Sequence, residues 1–306
     1  MRSVAILLCT LNGARFLPQQ FASLEAQDFT DWCVVASDDG SQDATLSLLE
    51  DFQKKHGDER VQIQAGPRRG FVANFLSLLC DPAVQGGCYA FCDQDDIWLP
   101  DKLTRARRFV MNAAADKPAV YCSRTRLIDE NGADIALSPL FKRAPSFRNA
   151  LAQSIAGGCT MVLNEAARQL LRRAGADVVC ASHDWWVYLA VTAAGGTVFY
   201  DAVPSICYRV HASNVMGENR SLGAQLVRAR MLWHGRFKTW ADWNVAALER
   251  IESAMTEENR QIFALYRSSR KQALVSRLRG LHRTGIHRQT LLGNIGLAAA
   301  ALVGKV

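Results

Sequence analysis

The chain has 306 residues, of which 49% are hydrophobic and 21% are charged. This length and composition are typical of a globular protein with one large domain, with or without an extension, and the lack of 18 uninterrupted apolar residues excludes a membrane-spanning helix. The net charge of +7 comes from the last 48 residues, which carry nine Lys or Arg and no Asp or Glu, so nucleic-acid binding by the main body is not expected.

Strand-like and helix-like patterns alternate in the first part of the chain. The predicted strands are 4–9, 33–36, 61–64, 87–92 and 119–122, and the predicted helices are 14–27, 43–56, 70–79 and 100–115. Continuous apolar strands that alternate with amphipathic helices predict an α/β fold, with a mostly parallel sheet covered by helices on both faces. In such sheets ligands bind beyond the carboxyl ends of the strands, so polar residues that follow the strands are candidates for a binding site.

The middle and the end of the chain have a different pattern. The predicted elements are a hairpin turn at 130–132, short strands at 159–163, 197–200 and 205–210, and a helix at 184–194. From about residue 221 the chain is predicted to be helical to its end. We therefore expect two parts, an α/β domain at 1–216 and a basic helical extension at 217–306.

Three carboxylates follow the strand at 87–92 within four residues, Asp93, Asp95 and Asp96. Like charges at this spacing repel each other, so a cluster of this kind at a strand end suggests that a positive charge is bound there. Carboxylate oxygens favour a hard divalent cation, Mg²⁺ or Mn²⁺, which would share its ligand shell with phosphate oxygens. A solvated acidic loop without a ligand is the alternative.

Polar residues also end the first two strands. Thr10 and Asn12 follow the first strand, and Asp38 and Asp39 close the second. A carboxylate at this position can accept a hydrogen bond from the N3–H of a pyrimidine base, although capping of the next helix is an equal alternative. Because the carboxyl ends of parallel strands meet at one edge of a sheet, we expect these groups and the acidic cluster to form one pocket.

A later segment combines a carboxylate with aromatic residues. Asp184 is predicted at the N-terminus of a helix, beside Trp185 and Trp186. Its position fits a general base at the rim of a pocket, with an indole as a flat surface for a sugar ring, while simple capping of the helix is the alternative. Adjacent side chains on a helix point about 100° apart, so only one of the two tryptophans is expected to face the pocket.

The strand at 205–210 leads to another candidate pair. Arg209 and His211 are expected on the same side, because side chains alternate along a strand. Arg209 is a candidate for holding a diphosphate, and His211 is a candidate for contacting the metal or a phosphate. A purely structural histidine is the alternative.

Together these segments resemble family 2 glycosyltransferases of the GT-A fold, in particular the bacterial rhamnosyltransferase-like branch. The matching segments, in the family's order, are 8–13, 37–41, 70–75, 91–98, 157–160, 183–186 and 208–211 with Asn214. The resemblance covers residues 3–216. One departure is Leu11, where the family commonly has Tyr, and the chain also lacks the Gln-x-x-Arg-Trp motif of processive synthases.

The resemblance implies an inverting enzyme with a GT-A fold that adds one sugar or a few. It implies that Thr10 and Asp39 contact the nucleoside of an activated sugar, that Asp93 and Asp95 form the D-x-D metal site, and that Asp184 is the catalytic base. Nucleotide contacts are expected from Thr10, Asn12, Asp38, Asp39, Asn74 and Asp93, metal ligation from Asp95, Asp93 and His211, and donor-sugar or acceptor contacts from His183, Trp185, Trp186, Asp96, Trp98 and Arg209.

The expected donor is a nucleoside diphosphate sugar, either dTDP-rhamnose or a UDP-sugar, because a carboxylate that faces N3–H suits thymine or uracil. The expected acceptor is a hydroxyl of a glycan or of a lipid-linked molecule in surface polysaccharide or lipopolysaccharide biosynthesis. The alternatives are a non-catalytic nucleotide-sugar-binding protein and a sugar-phosphate nucleotidyltransferase. The latter normally has a Gly-rich loop after its first strand, and residues 10–13 do not form one.

Cysteine usage and the tail bear on location. Nine scattered cysteines favour a cytoplasmic protein with reduced thiols. The basic and partly apolar segment 260–306 suits peripheral contact with the inner face of the cytoplasmic membrane. Helices packed on the catalytic domain and a homodimer contact are the alternatives for this segment.

Overall fold

The computed structural model describes residues 4–211 and 236–306, and the structural statements below concern these residues. Their strands are β1 (Val4–Thr10), β2 (Trp32–Asp38), β3 (Val61–Ala65), β4 (Cys88–Cys92), β5 (Ile97–Trp98), β6 (Ala119–Ile128), β7 (Asp134–Leu137), β8 (Val162–Asn164) and β9 (Thr197–Arg209). Their helices are α1 (Leu17–Glu25), α2 (Thr45–His56), α3 (Phe71–Cys80), α4 (Lys102–Asn112), α5 (Phe147–Ala150), α6 (Glu165–Ala174), α7 (His183–Ala193), α8 (Arg236–Glu249), α9 (Glu257–Arg270), α10 (Leu274–Thr284) and α11 (Leu291–Leu302). Asn214 and the domain boundary expected at 216 lie outside the described residues.

The strands form one sheet in the order β3-β2-β1-β4-β8-β6-β9-β5, with β7 paired to β6. Strands β3, β2, β1 and β4 are parallel to one another, and β6 is parallel to β9. Strand β8 lies antiparallel between β4 and β6, and β5 is antiparallel to β9. The long pairings are the parallel ones, so the predicted α/β fold with a mostly parallel sheet is confirmed.

Both faces of the sheet are buried, as continuous apolar strands predict. All seven residues of β1 and all five of β4 are buried. On one face, Ile6 belongs to a core that also contains Leu17 of α1 and Leu49 of α2. On the other face, Leu7 shares a core with Phe75 of α3. Neighbouring residues of a single strand therefore enter two separate cores, one under each layer of helices.

Residues 197–210, which were predicted as two strands, contain the single strand β9. This strand pairs with β6 through an irregularity near its middle. Arg105 of α4 donates at this point to the carbonyl oxygens of Val203 and Pro204, at 2.7 and 3.0 Å. Proline has no N–H and suggests a strand break in the sequence, but a local bulge accommodates it here.

The strand predicted at 159–163 is shorter and displaced. Residues Gly158–Thr160 form a 3₁₀ turn, and β8 begins only at Val162. Since β8 is antiparallel to β4, this turn lies beside the carboxyl end of β4. Asn164 then accepts a hydrogen bond from the N–H of Ala167 at 2.9 Å and is the N-cap of α6.

Helices α8 to α11 form the predicted C-terminal helical part and pack against the α/β body. Phe263 of α9 is completely buried in the core that contains Phe75. Asn259 donates from Nδ2 to the carbonyl oxygen of Thr192 in α7 at 2.9 Å. Across residues 4–211 and 236–306, every helix is too short or too polar to span a bilayer.

Candidate active site

The ends of β1 and β2 are joined through one carboxylate. Thr10 and Asp38 are register partners, and the Thr10 hydroxyl donates to Asp38 Oδ2 at 2.8 Å. The Ser41 N–H donates to Asp38 Oδ1 at 2.8 Å, and the Ser41 hydroxyl donates to Oδ2 at 2.5 Å. Burial alone would raise the pKa of Asp38, but these hydrogen bonds lower it below its ordinary value. Asp38 is thus an ionised carboxylate that shapes the loop, and its nucleotide contact remains a prediction.

Asp39 lies at the N-terminus of α3. Its Oδ1 accepts the backbone N–H of Arg68 at 2.6 Å, and its Oδ2 accepts that of Gly70 at 2.8 Å. An ionised carboxylate offers about four acceptor positions, so further hydrogen bonds to Asp39 are allowed. Asp39 was expected to cap α2 if it had no ligand, but its carboxylate holds the loop before α3 instead. The expected contact with a base remains a prediction.

Asn74 was expected to contact the nucleotide, and its placement contradicts a direct contact. Its side chain is 1% exposed. It donates from Nδ2 to the carbonyl oxygen of Ser37 at 2.9 Å and accepts the Ser37 hydroxyl at 2.5 Å. Both ends of the amide are used to fasten α3 to the end of β2. Its amide is thus occupied within the protein and does not face a ligand.

The loop after β1 is fastened to its neighbours by two side chains. Asn12 has a left-handed backbone (φ +50°), which asparagine tolerates, and its Oδ1 accepts the N–H of Gln42 at 2.8 Å. Gln94 accepts the Leu11 N–H at 2.8 Å and donates to the Leu11 carbonyl oxygen at 3.0 Å. Gly13 packs against the Gln94 amide so closely that a Cβ there would overlap it.

Gln94 is a site residue that the sequence interpretation missed. It is the middle residue of Asp93-Gln94-Asp95, so its two bonds to Leu11 hold the acidic loop against the loop that carries Thr10. Its position between two aspartates was the only available signal, because a glutamine in a polar loop has no distinctive pattern.

The acidic loop concentrates several carboxylates in one place. Single ligand atoms of Asp93, Asp96 and Cys159 lie within 4.8 Å of one another. Burial, and then the charge of Asp95 followed by that of Asp184, raises the pKa of Asp93 to about 7. Burial and the charges of Asp95 and Asp93 likewise raise the pKa of Asp96. The predicted crowding of negative charge at this strand end is therefore present in the fold.

Asp96 was expected to contact a sugar, but it is completely buried beneath the loop. Its Oδ1 accepts the backbone N–H of Arg209 at 3.2 Å. Trp98 is 2% exposed and is likewise excluded from direct contact with a sugar.

Lys102 places its ammonium 3.8 Å from the centre of the Trp98 ring and donates to the carbonyl oxygen of Cys159. This buried cation, which no sequence pattern indicated, partly balances the carboxylates, and burial lowers its pKa to about 8.

Arg209 was expected to hold a diphosphate, and its burial contradicts that role. Its side chain is completely buried. It donates to the carbonyl oxygens of Asp95 at 2.9 Å and Glu130 at 2.9 Å, and to Gln19 Oε1 at 2.5 Å. These bonds hold the acidic loop on the end of β9, so the guanidinium stabilises the site without facing the ligand.

His211 does lie at the acidic loop, as predicted. Its Nε2 is 2.7 Å from Asp95 Oδ2, and its ring stacks on Phe16 with the ring centres 5.2 Å apart. The same Phe16 ring lies under the Arg209 guanidinium at 4.8 Å. His211 and Asp95 are thus adjacent polar groups at the carboxyl end of the sheet, and metal ligation by His211 remains a prediction.

Asp184 lies at the N-terminus of α7 and adjoins the acidic loop. The Ser182 hydroxyl and the Trp185 N–H both donate to Asp184 Oδ1, the latter at 2.5 Å. Burial raises the pKa of Asp184, while hydrogen bonds from Ser182, Trp185 and the Gly158 backbone oppose the increase. Its negative charge in turn raises the pKa of Asp93. Residues 91 positions apart in the sequence therefore belong to one electrostatic cluster.

His183 and Trp186 were expected near a sugar, but both belong to the core. Trp186 is completely buried. The His183 ring stacks on Phe75 with centres 4.2 Å apart, and burial lowers its pKa to about 3, so it is neutral. A Cβ on Gly158 would overlap the His183 ring, which shows how closely the 158–160 turn packs against α7.

Trp185 is the partly exposed member of the tryptophan pair, as expected because adjacent side chains on a helix point about 100° apart. Its indole N–H donates to the carbonyl oxygen of Ala150 at 2.7 Å, and its ring meets Trp240 of α8 edge to face at 6.2 Å. The indole therefore lies between α5 and the C-terminal helices. A contact between Trp185 and a sugar remains a prediction.

The amino-acid sequence is similar to those of known glycosyltransferases. The Glycosyl transferase family 2 profile matches residues 5–171, more than half of the chain. The dTDP-rhamnosyl transferase RfbG of Shigella flexneri is 28% identical over 235 residues, which cover 72% of this chain and 77% of RfbG. The putative teichuronic acid biosynthesis glycosyltransferase TuaG of Bacillus subtilis is 28% identical over 108 residues, 35% of this chain and 42% of TuaG.

Solved structures agree in fold. The S. aureus TarS 1-349 structure in complex with UDP-GlcNAc is 14% identical, with a TM-score of 0.53 over 92% of this chain and 90% of that one. Mannosyltransferase PcManGT from Pyrobaculum calidifontis, in complex with GDP-Man and Mn²⁺, is 17% identical, with a TM-score of 0.52 over 99% of this chain and 86% of that one.

The fold is therefore that of the GT-A glycosyltransferases, a class of α/β proteins, which the chain resembles over almost its whole length. The family match makes the assignment specific. This protein belongs to glycosyltransferase family 2, as its motifs predict.

Proposed function

We propose that the protein is an inverting glycosyltransferase. It moves a sugar from a nucleoside diphosphate sugar to a hydroxyl of a glycan or lipid-linked acceptor in surface polysaccharide or lipopolysaccharide biosynthesis. The observation that carries the proposal is that the 158–160 turn joins Asp184 to the acidic loop. The Gly158 backbone hydrogen-bonds the Asp184 carboxylate, and ligand atoms of Cys159, Asp93 and Asp96 lie within 4.8 Å of one another. In this proposal a base and a diphosphate-binding loop belong to one site. The nine free thiols suit a cytoplasmic enzyme.

In this proposal Asp184 removes the proton from the acceptor hydroxyl as that oxygen attacks the anomeric carbon. The bonds from Ser182 and Trp185 fix the orientation of the carboxylate before the acceptor arrives. General-base catalysis contributes about 10²–10⁴-fold to a rate. Inversion at the anomeric carbon needs one base on the acceptor and no covalent intermediate, and Asp184 supplies that base in this proposal, while the other carboxylates of the cluster are assigned to the cation or are buried.

The residues present fit a divalent cation. Asp93 and Asp95 offer oxygen ligands. Burial is the main cause of the raised pKa of Asp93, and the charges of Asp95 and Asp184 add to it, so a cation would relieve that repulsion. We assign the ion to Asp95 and Asp93, with His211 adjacent to Asp95. When bound, Mg²⁺ or Mn²⁺ supplies Lewis-acid neutralisation of the departing nucleoside diphosphate.

For the donor, we propose dTDP-rhamnose first and a UDP-sugar second. Asp39, held by two backbone amides, is suited to accept the N3–H of thymine or uracil. The name of RfbG, a dTDP-rhamnosyl transferase, supports the same order. Thr10, which was expected to contact the same nucleoside, is 2% exposed and donates to Asp38, so in this proposal it positions that carboxylate.

The test is thermal stabilisation by a panel of nucleotide sugars. The purified protein is heated with dTDP-rhamnose, UDP-glucose, UDP-GlcNAc or GDP-mannose, each with Mn²⁺ or with a chelator. We expect dTDP-rhamnose with Mn²⁺ to raise the melting temperature by several degrees, because a ligand that binds only the folded state stabilises it. GDP-mannose, which lacks a pyrimidine, is the control. Preference for GDP-mannose would contradict the donor assignment, and equal stabilisation with the chelator would contradict the metal.

A further inference from the structure

Helix α11 exposes a continuous apolar ridge. The side chains of Leu291, Leu292 and Ile295 are 78%, 77% and 57% exposed, and Leu302 and Val303 at the other end are 53% and 60% exposed. Their spacing places them along one side of the helix. Single exposed leucines are normal on a protein surface, but a ridge of this length without a polar interruption indicates a contact surface.

The opposite side of α11 is already occupied by the protein. Ala300 and Ala301 are each 6% exposed. The buried positions of α11 are thus alanines, while its large aliphatic side chains are exposed except for the half-buried Leu297, the reverse of a surface helix that only covers a core. No charged residue lies within 291–302, so this segment has the lowest polarity of the tail.

Basic groups lie at both ends of the ridge. Near its start, Arg288 packs against Gly293, and the Arg143 backbone is hydrogen-bonded to Gln289 at 3.1 Å. Near its end, Arg277 of α10 donates to the carbonyl oxygen of Ala301 at 2.8 Å. No Asp or Glu follows Glu258 in the sequence, so positive charge borders an apolar surface here without acidic residues from the tail. This combination complements an anionic surface with an apolar interior.

The size of the ridge favours a bilayer over a second protein. A helix of 12 residues is about 18 Å long, and a ridge about 10 Å wide then offers about 200 Å². A stable protein interface needs about 800 Å² from each partner. The same helix is also too short to span a bilayer, which takes about 20 residues.

We propose that the α11 ridge docks the enzyme on a membrane surface that contains anionic lipids. Leu291, Leu292, Ile295, Leu302 and Val303 enter the boundary between headgroups and acyl chains, and Arg288, Arg277 and Arg143 lie near lipid phosphates. This inference is independent of the sugar that the site transfers, and would bring the catalytic site near lipid-linked acceptors.

The ridge is rigidly connected to the catalytic base. Just before α11, Gln289 and His287 bond to α5, where Asn149 donates to the carbonyl oxygen of His287 at 2.9 Å. The carbonyl oxygen of Ala150, the next residue of α5, accepts the indole N–H of Trp185, which follows Asp184. Docking of α11 therefore fixes the orientation of Asp184 relative to the membrane.

The experiment is co-sedimentation of the full-length protein with vesicles. Vesicles of phosphatidylcholine alone are compared with vesicles that contain phosphatidylglycerol. We expect the protein to pellet with the anionic vesicles, and the triple variant Leu291→Gln, Leu292→Gln, Ile295→Gln to lose at least about tenfold in partitioning, because three exposed apolar anchors are removed. All three positions are on the surface, so the fold is retained, and circular dichroism checks this.

The matched control is Ile135→Gln, Leu137→Gln, Leu140→Gln, which removes three aliphatic side chains that are 46%, 40% and 41% exposed elsewhere. It should pellet like the unchanged protein. The proposal is overturned if the protein does not pellet, if the triple variant pellets equally, or if both vesicle types bind equally. Light scattering measures the molar mass of the protein in solution and so tests the alternative that the ridge binds a second copy. A dimer that the α11 triple variant dissociates would overturn the proposal and assign the ridge to a dimer contact.

Discussion

At the scale of single residues, the site is a set of negative charges held in place by neutral and positive partners. Asp39 is fixed by two backbone amides, Asp95 by His211, and Asp96 by the Arg209 backbone. The buried Lys102 is nearby. Such a cluster still concentrates negative charge, which supports the proposed binding of a cation with its phosphate partners.

Replacement of Asp184 by Asn tests the base. The amide preserves the size of the side chain but cannot accept a proton, so we expect transfer to fall by about 10²–10⁴-fold while donor binding is retained. Initial rates with a radiolabelled nucleotide sugar, and calorimetry for donor binding, measure the two effects separately. Near-normal turnover would remove Asp184 from the mechanism.

The pKa of Asp93 predicts a pH dependence of stability in the cation-free protein. Its ordinary value of 3.8 is raised to about 7 on folding, so the folded state retains a proton that the unfolded state releases. The contribution of Asp93 to the free energy of unfolding is fully present below pH about 4 and is lost as the pH rises through about 7. We expect the melting temperature in chelator to fall by several degrees over this range, and Asp93→Asn to flatten the slope. A slope unchanged in this variant would contradict the assignment.

The convergence of strand-end polar groups could be predicted from the sequence, because the carboxyl ends of parallel strands meet at one edge of a sheet. The Asp39 N–H donates to the Thr10 carbonyl oxygen at 2.8 Å, and Gln94 joins the acidic loop to Leu11. The facing direction of a side chain could not be predicted in the same way. His183 precedes Asp184 directly, yet its ring is turned into the core between Phe75 and Phe91, which sequence spacing cannot reveal.

At the scale of elements, the acidic loop depends on the end of β9. The Arg209 side chain joins that strand to the carbonyl oxygens of Asp95, Asp129 and Glu130. One buried guanidinium thus holds the loop after β4 and the turn between β6 and β7. The geometry of Asp95 is therefore set by a strand more than 100 residues away in sequence.

Substitution of Arg209 by Met tests this dependence. The variant fills a similar volume but leaves buried carbonyl oxygens unsatisfied, so we expect a loss of about 2–4 kcal/mol in the free energy of unfolding. Chemical denaturation measures it. Arg126→Met is the matched control, because Arg126 lies on β6 with 48% of its side chain exposed. We expect this variant to have almost the same free energy of unfolding as the unchanged protein. Equal effects of the two variants would show that the buried bonds do not hold the loop.

Elements were predicted best where the hydrophobic pattern is unbroken. Strand β1 and helix α2 agree with their predicted positions to within two residues at either end. Strand β9 was divided because Pro204 suggests a break, and β8 was misplaced because the Gly-rich residues before it form a turn. Both strands pair with β6, and this pairing sets where each strand begins and ends. A pairing partner cannot be predicted from the sequence of one segment alone.

At the scale of the whole molecule, the C-terminal helices share a core with the catalytic body. Ile262, Phe263 and Tyr266 of α9 are all buried. Asn259 bonds the end of α7, and Arg148 of α5 donates to the carbonyl oxygen of Thr284 in α10 at 2.6 Å. The sequence predicted a basic helical extension and left its packing on the catalytic domain open, and these helices share the apolar core of the α/β body.

Two deletions test this integration. Deletion of 256–306 removes α9 and exposes the apolar surface of α7, so we expect the protein to aggregate or to melt at least about ten degrees lower. Deletion of 291–306 removes only α11, which buries mainly alanines, and should leave the melting temperature within a few degrees. Differential scanning fluorimetry compares them. Equal melting temperatures for the longer deletion and the intact chain would show that α9 is dispensable.

The close packing of Gly158 on His183 limits which substitutions the 158–160 turn can accept. A side chain at 158 would push the turn away from α7, and the backbone of that turn also supports the Asp184 carboxylate. In the proposed mechanism, differences in acceptor preference would therefore arise away from this turn, at exposed positions. The proposed base would keep its orientation while those positions vary.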